Sequence, residues 1–160
     1  MKQTPRRKIA GRVKSPEATS TTAMGQRQNG QRPLQRTAIL VVDDEPGVAA
    51  VLVEVLSEDG YLVDIAADGE EALEKLRQRA FDVIVCDVRM PKMNGPALYR
   101  VIAQEEPCLL SRMIFLTGDT LNLTTQAFLQ QAAAPALEKP FALGRLRELV
   151  RQILRTNEPR

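Results

Sequence analysis

The chain has no histidine and no tryptophan among its 160 residues, and aromatic residues make up only 4%. Without histidine there is no Ser-His-Asp triad, no imidazole metal ligand and no phosphohistidine on this polypeptide. Cysteine is almost as scarce. The two present, Cys86 and Cys108, have no spacing suited to a metal knuckle or a disulfide framework. Cys86 stands in the run VIVCD and reads as a small buried hydrophobe. No apolar run reaches the length of a membrane span. The N-terminus carries charge without the apolar core of a secretory signal. It is arginine-rich and acid-poor, as organellar transit peptides also are, but a reducing cytoplasm is the default expectation.

The net charge of +2 conceals a division. Residues 1–36 hold nine Lys/Arg against Glu17 alone, whereas residues 37–160 hold thirteen basic and nineteen acidic side chains. The basic pI therefore describes the tail and is no nucleic-acid footprint for the folded part. Residues 1–36 are rich in Gln, Arg, Ser, Thr, Gly and Pro and have few large apolar side chains. Such a segment cannot offset its ordering entropy by burial, so it is expected to be a disordered basic tail or linker.

From Thr37 onward apolar runs alternate with helical patterns. AILVV (38–42) precedes PGVAAVLVEVLSEDG, where Val48, Val51, Leu52, Val55 and Leu56 recur at helical spacing and Gly60 is a stop signal. LVDIA (62–66) precedes DGEEALEKLRQR, with Asp68 placed to cap a helix that is acidic early and basic late. DVIVC (82–86) leads through a Pro/Gly loop to PALYRVIAQEE. RMIFLT (112–117) leads to a weaker helical stretch over 120–132. PALEK leads to ALGRLRELVRQIL, where Leu143, Leu146, Val150 and Ile153 share a face. Five strand–helix units of this kind predict an α/β doubly wound (βα)5 fold with a five-stranded parallel sheet, covered on both faces. Ligands of such sheets bind beyond the carboxyl ends of the strands.

The residues closing those strands carry the chemistry. Asp43, Asp44 and Glu45 follow the first, Asp87 the third, Thr117 the fourth and Lys139 the fifth. Each has an ordinary structural reading: Asp44, two residues before Pro46, is placed to cap a helix, Thr117 to make a turn, and Lys139 to snorkel. Their convergence on one rim has a chemical reading. Clustered carboxylates without His or Cys point to a hard cation, Mg²⁺ or Mn²⁺. A carboxylate beside such a cation can attack phosphorus, and a lysine and a hydroxyl can neutralise the phosphoryl oxygens.

With VVDDEP, CDVRMPKMNG, IFLTGD and LEKPF in place, the chain from about Thr37 to Arg155 resembles the receiver domain of two-component response regulators. Asp44, Asp87, Thr117 and Lys139 are separated by 43, 30 and 22 residues, spacings that are also the family's. The resemblance implies a flavodoxin-like strand order, 2-1-3-4-5, and a domain over residues 37–156 followed by a short tail, 157–160. It implies Asp87 as phosphoacceptor, and Asp43, Asp44, Asp87 and the Arg89 backbone carbonyl as metal ligands. Thr117 and Lys139 would hold phosphoryl oxygens, and the peptide before Pro140 would be cis. Arg89 and Asp119 stand where family members tune hydrolysis, and their opposite charges suggest a pair across the site mouth. Two solvated loop charges, worth little at the surface, are the narrowly preferred reading of these positions. Self-catalysed phosphorylation and slow autodephosphorylation would be the only reactions, so the chain is read as a signalling protein rather than an enzyme. The phosphoryl donor would be a sensor histidine kinase or histidine phosphotransfer protein. The output would be an unknown downstream protein, with homodimer formation left open, and with no membrane or nucleic-acid contact by the folded domain.

One position departs from the family. Receivers carry Tyr or Phe three residues before the lysine, and here that residue is Ala136. The wording of the last two units also resembles receivers at the C-terminus of hybrid sensor kinases, for which the basic lead-in would serve as a linker. No effector domain follows the fifth helix, so a stand-alone receiver is expected. Three other classes compete. A docking pseudo-receiver is favoured only by Ala136. A haloacid-dehalogenase-type phosphatase needs a carboxylate where Arg89 stands. A flavin or nucleotide binder lacks its glycine-rich loop.

Overall fold

Strand β1 (Ala38–Val42) is the run AILVV, and it lies at the interior of the sheet because every side chain beyond Ala38 is buried. The computed structural model describes residues 36–158. The expected tail therefore lies outside the described residues apart from Arg36, as do the last two positions of the chain. Helix α1 (Pro46–Glu58) follows, then β2 (Leu62–Ala66), α2 (Gly69–Gln78), β3 (Val83–Asp87) and α3 (Gly95–Glu105). A 3₁₀ turn (Pro107–Arg112) precedes β4 (Met113–Thr117), α4 (Leu123–Ala132), β5 (Ala136–Glu138) and α5 (Leu143–Asn157). The five strands form one sheet in the order β2-β1-β3-β4-β5, and every pairing is parallel. This is the flavodoxin-like arrangement expected.

Continuous apolar strands are explained by a sheet with two buried faces. Ile39 and Val41 point to one side and join Leu52 and Leu56 of α1 and Leu146, Val150 and Ile153 of α5. Leu40 and Val42 point to the other and join Ala72 of α2, Leu98 and Ile102 of α3, and Phe115. Tyr99, Phe115 and Phe128 pack edge to face or tilted on this second side, with centroids 5.0–6.2 Å apart. Truncating a fully buried member such as Leu56 or Ile102 to alanine is worth about 2–5 kcal/mol in cores of this kind.

Local signals act at the helix ends. Asp68 caps α2 by accepting the Glu71 amide at 2.9 Å. Asn94 and Asn122 cap α3 and α4 in the same way. Gly60, at φ +89°, ends the first helical unit in a conformation that glycine adopts without strain. Several sequence expectations shift. Strand β3 runs one residue later than DVIVC, so Asp87 is its last member rather than the residue after it. Helix α4 begins at Leu123 rather than near 120, because the Asn122 side chain supplies the cap. Val51 leaves the core and is 46% exposed, its place in the α1 stripe being taken by Ala49. Pro135 sits just ahead of the edge strand β5, where its missing N–H removes no ladder bond and its carbonyl accepts the Phe115 amide.

Candidate functional site

Parallel register brings the carboxyl ends of β1, β3, β4 and β5 to one edge. Val42 is level with Cys86, Asp87 with Leu116, and Thr117 with Glu138. The first residue beyond β1 and the first beyond β5 are thereby set beside the last of β3. Asp43, Asp44 and Asp87 each place a carboxylate oxygen within 4.8 Å of the others. Asp43 and Asp87 are buried, at 2% and 5% exposure, whereas Asp44 is exposed. Asp44 does not cap α1. Glu45 holds that position without a side-chain cap, and its amide donates to Asp43 Oδ1 at 2.9 Å.

Lys139 reaches into this cluster from the end of β5. Its backbone amide donates to the Thr117 carbonyl at 2.7 Å, and the Lys139–Pro140 peptide is cis. The ammonium lies 3.0 Å from Asp43 Oδ2, 3.6 Å from Asp87 Oδ1 and 3.4 Å from Glu45 Oε1. Burial pushes the lysine down, but the bond to Asp43 and the charge of Asp87 outweigh it and hold the group above its usual range. Burial also dominates Asp87, whose acid is pushed up to about 6. Lys139 and the Arg89 amide oppose that rise, while Asp43 and Asp44 add to it. A buried carboxylate with too little positive charge nearby is a group prepared to take up a cation or shed its own charge.

Thr117 ends β4 at 3% exposure, with its hydroxyl oxygen accepting the Asp119 amide at 3.2 Å. Arg89 and Asp119 meet at the rim, Nη2 to Oδ2, at 2.7 Å, with both side chains at least a third exposed. Ala136 lies apart from the cluster, exposed on β5 and level with Phe115. Cys86 precedes Asp87 in β3 and is buried, and burial raises its thiol, so it takes no part as a thiolate.

Two further features shape the site. Gly95 opens α3 where an added Cβ would stand 2.7 Å from the Asp87 carbonyl oxygen, so only glycine lets α3 approach the acidic strand end. The loop between β3 and α3 is tied to the start of α2 by a Lys92–Asp68 ion pair of 2.9 Å. The glycine of MPKMNG was a visible sign of the first. Nothing in residue spacing reveals the second.

The chain is similar in sequence and fold to known proteins. A sequence model described as the response regulator receiver domain matches residues 39–151. The chain is 35% identical over 120 residues to the alkaline phosphatase synthesis transcriptional regulatory protein PhoP of Bacillus subtilis, covering 75% of this chain and 49% of that protein. Among solved structures, chemotaxis protein CheY4 of Vibrio cholerae is similar at TM-score 0.66 and 30% identity, across 74% of this chain and 99% of the other. A signal receiver domain of a signal transduction histidine kinase from Syntrophus aciditrophicus is similar at TM-score 0.71 and 29% identity, across 78% and 94%. The chain spans between 26% and 56% of the length of curated relatives such as PhoP. Among the described residues, no helix is long and apolar enough to cross a membrane.

Proposed function

We propose, from the premise that this chain belongs to the response regulator receiver domain family, that it accepts a phosphoryl group on Asp87 and relays the signal through protein–protein contact. The observation that supports this most is the buried Asp87 carboxylate, set between two further aspartates and the Lys139 ammonium. With no histidine of its own, the chain takes the group from a phosphohistidine on a partner, either a sensor histidine kinase or a histidine phosphotransfer protein. The domain is read as residues 37–156, with the basic segment 1–36 as a tail or linker outside it.

The donor set fits a hard divalent cation. Three carboxylates converge without a nitrogen or sulfur ligand, and Asp87 is left short of countercharge. Asp43, Asp44, Asp87 and the Arg89 carbonyl would hold Mg²⁺ or Mn²⁺. When bound, that ion supplies charge neutralisation for the phosphoryl oxygens. An Asp87 carboxylate oxygen attacks phosphorus. A P–O bond forms as the P–N bond of the donor breaks, and the donor imidazole departs with the electron pair. Lys139 then pairs one phosphoryl oxygen, and the Thr117 hydroxyl donates to another. Water later attacks phosphorus, and Asp87 leaves as a carboxylate. The Arg89–Asp119 pair at the rim restrains that step by standing across the mouth of the site.

Borohydride reduction after exposure to Mg²⁺ and a small acyl phosphate tests the assignment. An acyl phosphate on Asp87 is reduced to homoserine at position 87, seen by peptide mapping. Homoserine at another position, or nowhere, contradicts it.

A further inference from the structure

The loop over residues 88–94 joins β3 to α3 and carries Arg89. Its ends are pinned by the strands and by α3: the Val88 amide donates to the Leu116 carbonyl at 2.8 Å, and the Gly95 amide to the Val88 carbonyl at 3.1 Å. Between these anchors the loop is held from the side, by the first residues of α2. The Gly69 amide donates to the Met93 carbonyl at 3.0 Å, and a Cβ on Gly69 would lie 2.6 Å from Met93 Cγ. Lys92, at φ +58°, turns the loop so that its ammonium meets Asp68 Oδ2 at 2.9 Å. Most residues adopt such a φ at some cost, so the contact helps hold a conformation the chain would otherwise leave.

Asp68 performs two tasks with two oxygens. Oδ1 caps α2 through the Glu71 amide at 2.9 Å, and Oδ2 receives Lys92. Serine or asparagine would cap about as well. Only a carboxylate offers a second acceptor to an ammonium, since the second atom of an asparagine amide is a donor. Asp68 is buried and carries a carboxylate acid lowered by the Glu71 amide and then by Lys92. A charge of this kind inside the second strand–helix unit is unexplained by capping alone.

We propose that Asp68 and Lys92 are a positioning pair that fixes the β3–α3 loop, and with it the Arg89 carbonyl, for the cation that the acidic cluster takes up. The proposal rests on the functional reading above, which names that carbonyl as a ligand. Ligand groups held by an outer contact lose affinity when the contact is removed. Because Lys92 is largely exposed, the effect is modest, about two- to fivefold.

The test is calorimetric titration of the full chain with Mg²⁺ alone, comparing wild type with Asp68→Asn, Lys92→Met and Lys92→Arg. Asn at 68 keeps the cap, and circular dichroism confirms that each variant is folded. Positioning predicts weaker Mg²⁺ binding in both Asp68→Asn and Lys92→Met, with Lys92→Arg restoring most of it. Simple through-space charge predicts opposite signs, because one variant removes a negative group and the other a positive one. Opposite signs, or affinities equal to wild type, overturn the proposal. In metal-free protein, amide exchange of the Met93 region should also quicken in both variants, and unchanged exchange counts against it. With a small phosphodonor, the Mg²⁺ concentration for half-maximal phosphorylation should rise while the rate at saturating Mg²⁺ holds. A wild type that takes up no Mg²⁺ refutes the metal-site reading itself, an outcome distinct from equal affinity across the variants.

Discussion

Lys139 rests on Asp43 more closely than on Asp87, its ammonium 3.0 Å from Asp43 Oδ2 and 3.6 Å from Asp87 Oδ1. The strand-end lysine thus neutralises Asp43 and Asp87, and on the proposed reading it needs only a small swing to reach a phosphoryl group on Asp87. A divalent cation held by Asp43 and Asp87 would compete with the lysine for the same carboxylates. Lys139→Met should therefore destabilise the metal-free protein by about 2 kcal/mol or more, since it leaves buried carboxylates unpaired. The same variant should bind Mg²⁺ more tightly than wild type. Denaturant unfolding without metal, followed by calorimetric titration, reads both. Weaker Mg²⁺ binding would show that Lys139 supports the cation site rather than competing with it.

Asp87 gives a pH dependence of definite sign. Its acid is raised to about 6 in the folded chain, from an ordinary carboxylic acid value of 3.8. The native state therefore holds this proton more tightly than the unfolded state does. The group costs nothing below about pH 4, and its penalty grows as pH rises toward about 6 and is complete above it. Metal-free wild type should lose about 2–3 kcal/mol of stability across that window from this residue, and Asp87→Asn should lack that slope. Added Mg²⁺ should stabilise wild type at neutral pH and do little at pH 4.5. A metal-free wild type that gains stability between pH 4 and pH 6 relative to Asp87→Asn contradicts the assignment.

The rim pair separates lifetime from stability. Arg89 is well exposed and Asp119 half-buried at the rim, so removing the guanidinium should change stability by less than about 0.5 kcal/mol. Arg89→Ala should nonetheless shorten the phosphoryl half-life, because water gains access to phosphorus. An unchanged half-life returns the pair to two solvated loop charges.

Ala136 bears on how the signal leaves the domain. The alanine is exposed on β5 and has no ring to turn inward, and the neighbouring face is already filled by Tyr99, Phe115 and Phe128. Binding of a phosphoryl mimic should shift the amides of Ala136 and Leu137 far less than those of Thr117 to Asp119. Large shifts at Ala136 and Leu137 would place the output on this edge after all.

The alternation of apolar runs and helical stripes was sufficient to read the five units, because a two-face-buried sheet demands continuous apolar strands and each helix needs only one apolar side. Asp43, Asp87, Thr117 and Lys139 each have an ordinary structural use when taken singly, and only their shared place at the ends of adjacent strands marks them in the sequence. The order of the strands came from resemblance, as connection handedness and pairing do not show in a linear pattern. The position of Asp87 inside β3 was missed because a carboxylate ending a strand looks the same as one beginning a loop. Val51 was misplaced because a valine stripe wider than the contact face does not say which member turns outward. The Lys92–Asp68 tie was invisible for a plainer reason: it depends on a left-handed backbone at a lysine, which no propensity anticipates.

The assignment of Asp87 as phosphoacceptor is read most plainly in the intact mass of the protein after incubation with Mg²⁺ and a small phosphodonor. Wild type should gain one phosphoryl group and Asp87→Asn none. No gain in wild type, or an equal gain in both, would contradict it.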